Sequence, residues 1–369
     1  MSRYVKYVTP VTPATATDLM ARVYAQMRAD LGRVAEPVSV HAADPAVLAG
    51  TWATLRETLL VGRVPRGTKE AVAGVVSALN RCPWCLDAHS IMVHATGYHR
   101  IAKDIGTLAA SAVGGRASDV FGVASPTAGL DPELVAILRW AAASRSPGHP
   151  LLASPPFLAT EAPEIIGVAV TFHYLTRVVN VTLVETFLMG PGWLRGATRR
   201  LAGQVLGGMV RRHLAPGASL ALLPDAMIPD EFHWAASSPA VAGAFARLAA
   251  AVETAGASAL SDTARAAVLE RLSDWHGEDP GISRSWVERD TAGLAENDRA
   301  GARLALLTAL APHQVDAEIV EAFRRYHPSD ASLIGAISWG SFAAARRTSS
   351  WLAASTFAPR PTIADRSLA

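Results

Sequence analysis

Three features of the sequence predict an all-α fold. Apolar residues recur at helical spacing along most of the chain, strand-like alternation is scarce, and the breaks between periodic segments carry Pro and Gly. The helical period is about 3.6 residues, so apolar side chains three and four apart share a face. Asp18–Leu31 sets Leu19, Val23, Met27 and Leu31 on one stripe. Pro45–Leu60 continues with Leu48, Trp52, Leu55 and Leu59. Lys69–Leu79 shows Val72, Val75, Val76 and Leu79, and its end falls near Asn80, a residue that tolerates the left-handed cap conformation. A new helix opens at Pro83, because a proline at the first helical position gives up an N–H that has no partner there. Pro132–Ala143 shows Leu134, Ile137, Leu138 and Ala141. Connections such as Val64-Pro65-Arg66-Gly67 and Ser146-Pro147-Gly148-His149-Pro150 punctuate the series.

The chain has 369 residues, half of them apolar, with 18% charged and a formal net charge of +2. Such a chain has the apolar surface to offset chain entropy and is not intrinsically disordered. A charge of +2 over this length leaves no nucleic-acid footprint. Lysine occurs only at Lys6, Lys69 and Lys103, so arginine carries most of the positive charge, a compositional bias rather than phosphate recognition. Uncharged stretches such as Ser146–Thr160 and Ala331–Ala345 are shorter than the roughly 18–20 residues of a membrane span. The N-terminus carries early positive charge without an apolar h-region, so no signal peptide is expected, and a cytoplasmic location with reduced thiols follows.

Length predicts two domains. Ile165-Ile166-Gly167-Val168 lies 168 residues before Leu333-Ile334-Gly335-Ala336, and Leu134, Ile137 and Ala141 echo Leu304, Leu307 and Ala311. Both four-residue runs open an apolar helix with basic residues, Arg177 in one and Arg346 and Arg347 in the other. The reading is a first domain over 1–190, junction helices over 191–230 and a repeat of the first domain's helices over 231–369. The junction opens with Gly190-Pro191-Gly192, and its arginines (Arg195, Arg199, Arg200, Arg211, Arg212) mark a solvated or interdomain linker helix rather than a membrane-surface one. Trp193, Trp234, Trp275, Trp286, Trp339 and Trp351 concentrate in the second half, where they serve a core or an interface.

Both cysteines of the chain fall in one motif, Asn80-Arg81-Cys82-Pro83-Trp84-Cys85-Leu86-Asp87-Ala88-His89. Their spacing permits a reversible disulfide within one helical turn. Pro83 at the first helical position puts Cys82 at the N-cap and Cys85 in the first turn, where the helix dipole favours thiolate. His89 follows Cys85 by four residues, about 40° around the helix, and shares its face as a base for the thiol. His94 and His99 do not share that face. If the chain reverses near Arg81, Glu70 and His89 come level to within about 4.5 Å of helix rise, so Glu70, directly or through one water, orients His89. A closed zinc site needs four ligands, and Cys82, Cys85 and His89 supply three, so no metal is expected. His173 and Arg177 share a face of an apolar helix, where a satisfied core or interface pair competes with a site-lining role. His41, His149, His213, His233, His276, His313 and His327 show no paired spacing.

Glu70, eleven intervening positions and then Cys82-x-x-Cys85-x-x-x-His89 resemble the signature of the alkyl hydroperoxidase D (AhpD) family, part of the carboxymuconolactone decarboxylase-like group. The upstream helices and Phe172–Asn180 are similar to that group's domain, so the resemblance covers about residues 15–190. It implies an all-helical AhpD-like domain, a homo-oligomer, and peroxidase or thiol–disulfide activity. It casts Cys85 as the attacking thiolate, Cys82 as the resolving thiol, and Glu70 and His89 as the proton relay. Trp84 stands where family members often carry His or Tyr, so a second histidine of the relay is missing here. The two halves then read as tandem AhpD-like domains, the second degenerate and without cysteine. Expected partners are a hydroperoxide and a thiol donor, protein or small molecule, with no cofactor beyond the redox-active disulfide and no nucleic acid or membrane. The wider group offers non-redox decarboxylase chemistry as an alternative, and a non-catalytic redox sensor or scaffold is another.

Overall fold

The computed structural model describes residues 3–102, 105, 131–188, 195–210 and 212–357. Lys103, Gly190-Pro191-Gly192, Trp193, Arg211 and the expected boundary at 190/191 lie outside the described residues. The fold is all-α. Among the described residues the one β feature is an isolated antiparallel bridge between Val5 and Leu183.

The main helices are α1 (Asp18–Leu31), α2 (Pro45–Leu55), α3 (Arg66–Leu79), α4 (Pro83–Ala95), α5 (Pro132–Ala143), α6 (Ala162–Thr182), α7 (Arg195–Val210), α8 (Pro239–Ala259), α9 (Asp262–Ser273), α10 (Ser285–Thr291), α11 (Glu296–Leu310), α12 (Ala317–Arg324) and α13 (Asp330–Phe357). Their starts follow capping chemistry. Asp44 accepts from the Ala46 and Val47 N–H groups at 3.0 Å, Ser261 from Ala264 and Asp316 from Ile319, each satisfying donors the first turn leaves free.

The stripe expected over Pro45–Leu60 is not one regular helix. Its last turn widens into a π-turn at Arg56–Leu60. The segment carries two buried charges that an apolar count passes over. Arg56 pairs with Asp30 at 2.7 Å and Glu57 at 2.6 Å, and Glu57 accepts from the Gly217 N–H and the Ser219 hydroxyl.

α3 and α4 form an antiparallel hairpin, and α6 lies against both. α8 packs on α2, and α13 packs on α8, α11 and α6. Gly50 makes the α2–α8 approach possible, since a Cβ there would stand 2.9 Å from the Leu248 Cα. One continuous apolar cluster, from Val8 to Leu352, runs through both halves of the chain. The echoing runs Ile165–Val168 and Leu333–Ala336 lie near the starts of α6 and α13, with Ile165, Ile166, Val168, Leu333, Ile334 and Ala336 all buried.

α6 and α8 have the length and mean hydropathy of a membrane span, which the search for uncharged runs missed because Glu164 and Arg177 interrupt the first of them. α6 spends its surface inside the fold, with 94% of its most apolar window buried, against 56% for α8.

Candidate active site

The site is built on the turn between α3 and α4. The Cys82 N–H bonds the Ser77 carbonyl at 2.9 Å and the Arg81 N–H bonds the Ala78 carbonyl at 3.0 Å. This is a Schellman closure of α3, and it needs a left-handed residue just past the cap. Arg81 takes that conformation, at φ 50°, whereas Asn80 keeps φ at −91°. Sequence reasoning placed the left-handed residue at Asn80. The structure moves it one position on, because Asn80 is fixed by its side chain: its Nδ2 donates to Thr176 Oγ1 at 2.8 Å and to His173 Nδ1 at 3.2 Å. Cys82 therefore ends one helix and begins the next. It is the N-cap of α4, its Sγ accepting from the Cys85 N–H at 3.4 Å, with Pro83 at the first helical position. Cys82 and Cys85 are joined as a disulfide, and both are buried, at 2% and 4% exposure.

The tight reversal brings α3 and α4 into register. Glu70 Oε2 meets His89 Nδ1 at 2.6 Å, with no water between them. A carboxylate only accepts, so Nδ1 carries the proton of this hydrogen bond. The ring stands edge-on to Phe172, with centroids 4.4 Å apart. Glu70 is almost fully buried. Burial pushes its carboxyl up, but the Arg66 guanidinium and the His89 hydrogen bond outweigh that and hold it below its ordinary value. Arg66 reaches Glu70 Oε1 at 2.6–2.7 Å from one turn earlier. Sequence reasoning missed Arg66, although the spacing of four residues signals it.

No family model matches the sequence, and no solved structure matches it. A curated relative, the alkyl hydroperoxide reductase Rv2159c of Mycobacterium tuberculosis (strain ATCC 25618 / H37Rv), is 41% identical over 352 residues, covering 95% of this chain and 96% of the relative. The chain belongs to the AhpD-like alkyl hydroperoxide reductase family. The match extends through both halves, whereas the motif resemblance stops near residue 190.

The other expected residues of this AhpD-like chain fall in different places. Trp84 is buried between Tyr4 and Phe187, at centroid distances of 5.2 and 4.6 Å. His173 is a satisfied core residue. Its Nδ1 accepts from Asn80, and its Nε2–H donates to Ser144 Oγ at 2.8 Å. Burial, reinforced by Arg177 and Arg145, holds it well below the ordinary histidine range, so it is neutral. Arg177 is buried and lies with Leu79, Asn80, Arg81 and Arg145 along a small cleft beside the turn. His94 and His99 meet each other at the far end of α4.

By helix geometry Asp87, two residues from both Cys85 and His89, projects from the opposite side of α4. It is 1% exposed and binds Thr186 Oγ1 at 2.6 Å and Arg199 Nε at 2.9 Å. It thereby anchors α7, which packs along the dithiol helix instead of standing free as a linker. A Cβ at Gly203 of α7 would lie 2.6 Å from the His94 Cβ and 2.7 Å from the Ile91 carbonyl oxygen, so only glycine permits this approach. Among the described residues no group of three His, Cys, Asp or Glu side chains converges as a metal site.

Proposed function

We propose that this chain is a thiol-dependent peroxidase that reduces organic hydroperoxides through a reversible Cys82–Cys85 disulfide. The observation that carries the reading is the Cys82–Cys85 pair at the start of a helix whose His89 is held by a buried, ionised Glu70. The relative's name as an alkyl hydroperoxide reductase supports the same chemistry.

In the reduced enzyme His89 Nε2 takes the Cys85 proton, and Glu70 stabilises the resulting imidazolium. The Cys85 thiolate attacks the distal peroxide oxygen. The O–O bond breaks, Cys85 becomes a sulfenic acid, and the alkoxide takes the His89 proton and leaves as an alcohol. The Cys82 sulfur then attacks the sulfenic sulfur, the S–O bond breaks, and hydroxide takes the Cys82 proton to leave as water. An external dithiol restores both thiols by exchange and is itself oxidised to a disulfide. Assignment of Cys85 as nucleophile rests on its four-residue spacing from His89 and on the family resemblance. The helix dipole by itself favours the N-cap sulfur, Cys82.

The reading extends to a homo-oligomer in the cytoplasm, where thiols are kept reduced, and to a second half that is a degenerate AhpD-like copy serving packing. The echoing helices α6 and α13, which pack on one another, support the last point.

Titration of the reduced protein with cumene hydroperoxide tests the proposal. Wild type is expected to lose two thiols per chain rapidly, and Cys85→Ser to lose its remaining thiol slowly. Thiols that survive excess peroxide in wild type would refute it. Sustained consumption of peroxide with a dithiol donor is expected of an enzyme; a single turnover would make the protein a sensor instead.

A further inference from the structure

Beside the dithiol turn lies the small cleft that the peroxidase chemistry does not use. Leu79, Asn80, Arg81, Arg145, Arg177 and Asp279 are among the residues that line it. Its free space is about 10 Å³, room for about one water-sized group.

The charges around this cleft do not balance. Arg81 is paired with Asp279 at 2.7 Å, which accounts for the carboxylate lining the cleft. Arg145 and Arg177 make no ion pair within 4 Å among the described residues, with Asp279 and Glu278 acting on Arg145 only from farther off; both bind carbonyls. Arg145 donates to Leu79 O at 2.6 Å and Gly277 O at 2.8 Å, and its Nε has no partner. Arg177 donates to Ala309 O at 2.7 Å and to His173 O, and it is only 2% exposed. Leu79 and Ala309 lie at the C-terminal ends of α3 and α11. Each helix end carries about half a negative charge, so the two ends offset roughly one of the two guanidinium charges. Both cations also flank the Trp275 ring, at 5.9 and 5.7 Å from its centroid. Burial, reinforced by Arg145, pushes Arg177 down to about 9.

We propose that this cleft is a binding site for a small monoanion, a carboxylate that inserts one of its oxygens, whether on a larger molecule or on a free small acid, held by Arg145 and Arg177. A carboxylate matches the donor geometry of a guanidinium and supplies the missing negative charge. The lining residues Leu79, Asn80 and Arg81 directly precede Cys82, so an occupant sits beside the turn that carries the dithiol. Two sources fit that chemistry: the carboxylate of an acidic hydroperoxide, or a separate small acid.

Thermal melting of the oxidised full-length protein in increasing sodium formate, with ionic strength held by a bulky sulfonate, reads occupancy without reference to activity. Wild type is expected to show a saturable rise in Tm. Arg145→Gln is expected to weaken half-saturation at least tenfold. Arg81 is partly exposed, so Arg81→Gln serves as a second variant, expected to shift half-saturation in the same direction if Arg145→Gln does not fold. No saturable rise in wild type, or unchanged half-saturation in the folded variants, would overturn the proposal. A second arm rests on the peroxidase reading and distinguishes the source. If the anion belongs to the substrate, a hydroperoxide bearing a free carboxylate is consumed faster than its methyl ester, and formate inhibits the acid alone. If the anion is separate, formate affects acid and ester equally. Failure of both substrates to react, with the formate response intact, would overturn the peroxidase reading and leave the anion site standing.

Discussion

At the scale of single residues, Glu70 joins stability to the proposed chemistry. Its carboxylate is shared between Arg66 and His89, and its folded pKa lies below the unfolded value. A carboxyl lowered on folding stabilises the native state above its unfolded pKa, near 4.3, and that contribution is lost as pH falls through the folded pKa. Glu70→Gln is therefore expected to lower the urea midpoint at pH 7, with the gap to wild type closing below about pH 4. The same variant is expected to slow peroxide-driven thiol loss at pH 7 by roughly tenfold to hundredfold, within the range general bases contribute. Midpoints measured from pH 3 to 7, with thiol kinetics at pH 7, check both. The Glu70–His89 pair was legible in the sequence because a single reversal near Arg81 puts the two residues level. The Arg145–Arg177 pair was not, because residues far apart in sequence meet there only through the packing of α3, α6 and the loop around Gly277.

At the scale of elements, the helices α1, α3 and α5 are read nearly as they stand from apolar spacing, and the start of α4 from Pro83. The π-turn at Arg56–Leu60 and the role of α7 are not. Arg56 and Glu57 are polar residues whose burial depends on Asp30 and on the Gly217–Ser219 backbone. The arginines of α7 look like a solvated face, yet Arg199 meets Asp87 on α4, 112 residues earlier. A glycine in a helix reads as a weak point; at Gly203 it marks contact. Gly203→Val is expected to lift α7 from α4. Hydrogen exchange should then quicken in Arg195–Val210 and along α4 while α11 stays protected. Reduction of the disulfide by dithiothreitol should quicken as well. Unchanged exchange in α7 would show that the close approach does not hold it in place.

At the scale of the whole molecule, the pairings α2–α8 and α6–α13 tie the two halves together through one apolar cluster. Length and the internal echo predict two domains in tandem, and sequence periodicity shows only which face of a helix is apolar, not which helix covers it. With the core shared, urea unfolding followed by far-UV circular dichroism and by tryptophan fluorescence is expected to give one coincident transition. Two separated transitions would mean that the halves fold independently. The 41% identity to the mycobacterial alkyl hydroperoxide reductase over nearly the full length of both chains fits a second half retained as part of the same unit.

The division of labour between the two sulfurs is the centre of this account, and trapping the oxidised intermediate tests it most directly. Cys82→Ser, treated with one equivalent of cumene hydroperoxide in the presence of dimedone, is expected to carry the sulfenic-acid adduct on Cys85, located by mass spectrometry of its peptides. Cys85→Ser under the same conditions is expected to carry little or none. An adduct that forms readily on Cys82 in Cys85→Ser, with none on Cys85 in Cys82→Ser, would contradict the account.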